Sequence, residues 1–83
     1  MRIVAAANLE VPAYWEIVRR GFEVKRNSKP NGTETWIAQR GPDSFEAGSP
    51  VQLLGTVAVR EGRGDDWQAS DGEIEAFIHA FYP

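Results

Sequence analysis

The sequence contains no cysteine. A disulfide, a thiolate metal site and a thiol nucleophile are therefore excluded, and the lack of thiols fits a reducing compartment. No apolar run approaches the roughly 18 residues that a membrane-spanning helix needs. Residues 1–7 carry one charge, Arg2, and too few apolar side chains for the core of a signal peptide. These absences lead to the expectation of a cytoplasmic protein with no membrane partner. Gly-x-Ser-x-Gly, a phosphate loop and a dinucleotide fingerprint are also missing. The serines at 28, 44, 49 and 70 all fall at turns or caps. There is no internal repeat, heptad series or low-complexity segment. The expectation is a protein that is not an enzyme and takes no cofactor.

What is present is a small apolar inventory. The chain has 83 residues, 42% hydrophobic, with three Trp, four Phe and two Tyr. That is one domain, residues 1–83, near the lower end of self-sufficient folding, so its stability should be modest or helped by association. Charge is unevenly spread. Residues 1–41 hold seven basic residues (Arg2, Arg19, Arg20, Lys25, Arg26, Lys29, Arg40) against four acidic ones (Glu10, Glu16, Glu23, Glu34), a net +3. Residues 42–83 hold Arg60 and Arg63 against eight acidic residues (Asp43, Glu46, Glu61, Asp65, Asp66, Asp71, Glu73, Glu75), a net −6. An acidic C-terminal half repels phosphate backbones and attracts basic partners, unless folding interleaves the two signs.

Local chemistry marks the elements. Residues 1–10 show no clear period and form either an arm or an edge strand. Pro12 suits the first turn of a helix, Val11, Tyr14, Trp15 and Val18 repeat at helical spacing, and Gly21 follows Arg19 and Arg20 as a C-cap, so a helix is expected over 12–20. Strands are expected at 22–26, 35–40 and 45–47. They are separated by the turn chemistry of Lys29-Pro30-Asn31-Gly32 and Gly41-Pro42-Asp43-Ser44. Ser49-Pro50 is an N-cap followed by proline at the first helical position, opening a helix over 50–61 that Gly62 and Gly64 end. Gly55 inside it weakens the helix by about 1 kcal/mol relative to alanine, and close packing would be a reason to keep it. Ser70 with Glu73 is a capping box opening a helix over 71–81, in which Ile74, Phe77, Ile78 and Phe81 repeat at i, i+3, i+4 and i+7.

The expected fold class is α+β: a helix, a three-stranded antiparallel meander, then two C-terminal helices packed on one face of the sheet. The expected core is Tyr14, Trp15, Val18, Phe22, Val24, Trp36, Ala38, Leu54, Val57, Ala58, Ile74, Phe77, Ile78 and Phe81. Trp67 is expected half-buried, filling the space between the last two helices. Helix, three strands, helix is also the element order of the double-stranded-RNA-binding domain. The resemblance stops at topology, because the helix after the sheet begins Ser49-Pro50-Val51-Gln52 where that domain type carries lysines to hold phosphates.

Four clusters are candidate sites. In the loop between the last two helices, Arg63, Asp65, Asp66 and Trp67 combine an aromatic anchor, a forked cation and two carboxylates, the residue types that dominate protein-binding surfaces. Arg63 is otherwise expected to pair with Asp65 or Asp66, or to cap helix carbonyls. Asp65, Asp66, Asp71 and Glu73 lack the spacing of a calcium loop, and a solvated loop with a helix N-terminus accounts for them. Glu75 and His79 lie one helical turn apart, which is half of an acid–base arrangement and more simply a surface pair. Arg19, Arg20, Lys25, Arg26 and Lys29 form the basic cluster, with Phe22 and Trp36 nearby, and could hold single-stranded nucleic acid. A pI near 5.0 has the wrong sign for that. The preferred expectation is a small non-catalytic protein-binding module, of inhibitor, adaptor or immunity type, meeting a basic partner through Arg63, Asp65, Asp66 and Trp67. The alternative is a nucleic-acid-binding domain acting through Arg19, Arg20, Lys25 and Arg26.

Overall fold

The computed structural model describes residues 1–5 and 7–83. Its order is α1 (Glu10–Arg19), β1 (Glu23–Ser28), β2 (Glu34–Arg40), β3 (Asp43–Ala47), α2 (Pro50–Arg63) and α3 (Asp71–Phe81). The strands form one antiparallel sheet in the order β1-β2-β3. This is the expected α+β arrangement. Residues 1–5 lie in neither helix nor strand, a 3-10 turn at Ala7–Leu9 leads into α1, and Ala6, part of the same expected arm, lies outside the described residues.

The elements begin and end where local chemistry satisfies the backbone. Pro12 sits inside the first turn of α1 rather than at its first position, which is harmless because none of the first four N–H groups has an intrahelical acceptor. Gly21 takes the left-handed φ of +92° that ends the helix. Arg40 then crosses to this corner: its Nη1 donates to the Arg20 carbonyl at 2.9 Å, and its guanidinium carbon lies 4.2 Å from the centre of the Phe22 ring. Strand β3 begins two residues earlier than expected. Arg40 and Asp43 pair, so Gly41-Pro42 is a two-residue hairpin turn with Gly41 at φ +57°. Ser49 caps α2 by accepting from the Gln52 N–H at 3.2 Å. Glu10 reaches across from α1 and accepts from the Val51 N–H at 2.9 Å, so one carboxylate ties the starts of two helices together. Gly62 does not end α2, which continues to Arg63.

The core is smaller than expected and turned by about one residue on α1. Ile17, Leu53 and Val57 are wholly buried, with Phe22, Ala38 and Ala13 beside them. Val24, Trp36, Phe45, Ala47 and Leu54 pack against this cluster half-buried. Tyr14 and Val18 are likewise half-buried, whereas Trp15 (60% exposed) and Ala58 point outward. Two adjacent apolar stripes run along α1. The slimmer one, Ala13 and Ile17, faces inward and lets α1 and α2 approach closely.

The larger correction concerns α3. It is helical over the expected span, with both halves of the Ser70–Glu73 capping box formed. Yet Ile74, Phe77, Ile78 and Phe81, all expected in the core, are 45%, 57%, 49% and 69% exposed. Every residue from 65 to 83 is exposed, so α3 does not pack on the sheet. The radius of gyration, 15.1 Å, exceeds the about 12 Å of a compact chain of this length, as a projecting helix requires. The reason is width. Three strands about 4.8 Å apart make a layer that two helices 8–10 Å apart already cover.

Stability should separate the two apolar populations. Leu53→Ala or Ile17→Ala is expected to remove about 2–5 kcal/mol of unfolding free energy in urea titrations, and Phe77→Ala less than about 0.5 kcal/mol. Equal losses would put α3 in the core.

Candidate functional site

The segment joining α2 to α3 is built on Gly64, whose φ of +74° turns the chain out of α2, and on a 3-10 turn over Gly64–Asp66. Two arginines near the end of α2 hold this segment and the start of α3 in place. Arg60 Nη2 donates to Asp65 Oδ1 at 2.7 Å. Arg63 Nη2 donates to both carboxylate oxygens of Glu73, at 2.8 and 3.0 Å, and lies 3.5 Å from the Gln68 carbonyl. Glu73 Oε1 also accepts from the Ser70 N–H at 2.9 Å. One carboxylate thus closes the capping box and pins α3 to the end of α2. Arg63 therefore pairs with neither Asp65 nor Asp66, because Glu73 offers two oxygens already held in place by the cap.

The four expected contact residues, Arg63, Asp65, Asp66 and Trp67, are all exposed. Arg63 and Asp65 are held in ion pairs, and Asp66 has none among the described residues. Trp67 is 46% exposed and does not fill a core between α2 and α3, since none exists there. It stands at the end of a groove of about 1000 Å³ between α2 and β3. Residues 42–47 form one wall, and Gly55, Thr56 and Val59 the other. A second concavity, about 390 Å³, lies between the start of α1 and Trp36.

The two signs of charge are interleaved locally. Glu16 accepts from Arg19 and, at 3.0 Å, from Arg20, which also lies 3.6 Å from Glu61. Arg26 pairs with Glu34 at 3.3 Å, and Lys25 lies 4.0 Å from Glu23. All four candidate nucleic-acid contacts thus stand beside carboxylates. Among the described residues, Asp43, Glu46, Asp66, Asp71 and Glu75 have no ion-pair partner, so the uncompensated charge of the second half is negative. Among the described residues no side-chain hydrogen bond joins Glu75 to His79, and both line an open concavity on α3. No group of three or more potential metal-ligating side chains occurs among the described residues, and no helix there is long and apolar enough to cross a membrane.

Besides Trp15 and Ala58, the residues expected in the core but found exposed are those on α3. Ile74, Phe77, Ile78 and Phe81 were visible as a helical stripe, but a stripe does not say whether its cover is the chain's own sheet or another molecule. Phe77 lies 5.2 Å from Phe81 and 6.2 Å from Tyr82 between ring centres, so the aromatics shield mainly one another. No protein-family model, curated protein or solved structure matches the chain.

The Glu73 carboxyl is held down to about 2, first by the hydrogen bond from Arg63 and then by the Ser70 N–H. Glu16 is likewise held down to about 2 by Arg19 and Arg20. A carboxyl depressed below its unfolded value, about 4.3, stabilises the fold above that value. The contribution fades as pH falls from there towards 2. An NMR titration of Glu73 is expected to give a midpoint near 2 that rises towards the ordinary range in Arg63→Gln. A midpoint indifferent to that substitution would remove the ion pair as the pin of α3.

Proposed function

We propose that the protein is a small non-catalytic protein-binding module that presents α3 to a basic partner. The observation that carries this is the free apolar stripe of Ile74, Phe77, Ile78 and Phe81, the i, i+3, i+4, i+7 anchor pattern of a helix that seats in another protein's groove. With Tyr82 these side chains leave on the order of 500 Å² of contiguous apolar surface in water, at the upper end for a monomer. At 100° per residue, Asp71 and Glu75 border the stripe on one side, Glu73 with its partner Arg63 lies on the other, and α3 contains no Lys or Arg. The complementary surface is an apolar groove with a Lys- or Arg-rich rim. Asp66, with no ion-pair partner among the described residues, adds to the same field at the base of α3. Nucleic-acid binding through Arg19, Arg20, Lys25 and Arg26 has less support, because their charge is largely spent on Glu16, Glu34, Glu61 and Glu23.

Immobilised wild-type protein is expected to retain a basic protein from lysate, less so as salt rises, and Phe77→Ser/Phe81→Ser to lose it while keeping the wild-type urea midpoint. Retention by both would exclude α3. A wild-type dimer split by the same substitutions would reassign the stripe to self-association. Asp65→Lys/Asp66→Lys tests the loop separately, and unchanged capture would take it out of the surface.

A further inference from the structure

We infer that the groove between β3 and α2 takes a basic, extended peptide segment as a fourth strand of the sheet. This surface is distinct from α3 and does not depend on it. Strand β3 is an edge of the sheet, so along its free side alternate backbone N–H and C=O groups lack a strand partner. All six residues from 42 to 47 line the groove. Their side chains alternate between the two faces of the sheet, so what they share is the strand's edge, and the groove runs along it. The opposite edge, β1, carries Glu23, Lys25 and Arg26, which blunt it against pairing.

The second observation is Gly55. It lies in the interior of α2, where glycine weakens a helix. Close packing does not account for it, since a Cβ built there meets nothing within 4 Å. The position opens onto the groove, and any side chain would narrow it. A strand laid against β3 would set alternate side chains over Phe45, Ala47, Val59 and Trp67, and the others beside Ser44 and Glu46 on the outer face. Among the described residues, Glu46 on the outer face and Asp43, which shares the inner face at the hairpin end of β3, have no ion-pair partner, and Arg60, which lines the groove, is held by Asp65. The field along the edge is negative, which favours Lys or Arg at the outer positions and apolar residues at the inner ones.

A labelled, end-capped octapeptide of alternating lysine and valine is the probe, read by fluorescence anisotropy. Saturable binding is expected, weakened about tenfold or more when valine alternates with glutamate instead. Two further peptides carry N-methyl groups on either the lysine or the valine amides. Only one edge of an added strand faces β3, so one isomer should bind and the other should lose about tenfold or more. Gly55→Met should raise the urea midpoint yet abolish binding, and Glu46→Lys should weaken the lysine peptide and strengthen the glutamate one. Phe77→Ser/Phe81→Ser should bind the probe as wild type does, which separates this surface from α3. Equal binding of both methylated isomers, or full binding by Gly55→Met, would mean adsorption by charge alone and overturn the inference. A wild-type dimer that Gly55→Met dissociates, with no peptide binding, would overturn it in favour of a second copy at the same edge.

Discussion

The width of a three-stranded sheet limits everything else in this molecule. Its inner face offers Val24, Trp36, Ala38, Phe45 and Ala47, and two helices are enough to cover them. Helices α1 and α2 meet over that face through Ala13, Ile17, Leu53 and Val57, and the layer is then full. A third amphipathic helix has no seat, however regular its apolar stripe. What resembles surplus hydrophobic residues in an 83-residue chain is thus a consequence of geometry. The core is complete before α3 is reached.

Charge follows a different rule, because pairing is local. Arg19 and Arg20 find Glu16 within one turn, Arg26 finds Glu34 across the hairpin, and Arg60 and Arg63 find Asp65 and Glu73 just beyond the helix end. The excess of carboxylates in the second half cannot be matched by such neighbours, since that half has only two cations. The excess therefore remains on β3, the loop and α3. These exposed pairs contribute little to stability. Their effect is on which partners approach and on how α3 is oriented.

Both capping motifs, the hairpin turns and the element order were legible in the sequence because each is decided within about four residues. Ser49 with Gln52, and Ser70 with Glu73, satisfy backbone donors in any tertiary context. The phase of α1 was not legible, because Ala13–Ile17 and Val11–Trp15–Val18 are adjacent stripes and only the closeness of α2 chooses between them. The exposure of α3 was not legible either. Nothing in Ile74, Phe77, Ile78 and Phe81 records how many helices the sheet can seat. Gly55 lay between these cases. Its weakening of the helix was readable, but the empty space beside it belongs to the fold.

An 11-residue helix standing in water would be marginal by itself, since its first turn is unfavourable to nucleate and no tertiary face repays it. The capping box supplies locally part of what packing does not, and the Arg63–Glu73 pair fixes the direction of the helix. They satisfy backbone donors at the N-terminus and place negative charge where the helix dipole favours it. A helix ordered in advance does not have to be ordered by its partner, so more of the apolar burial on contact appears as affinity. Glu73 is the residue through which this works. Its one carboxylate meets the cap and the cation at once, and for that reason both the order and the direction of α3 depend on a contact outside the core.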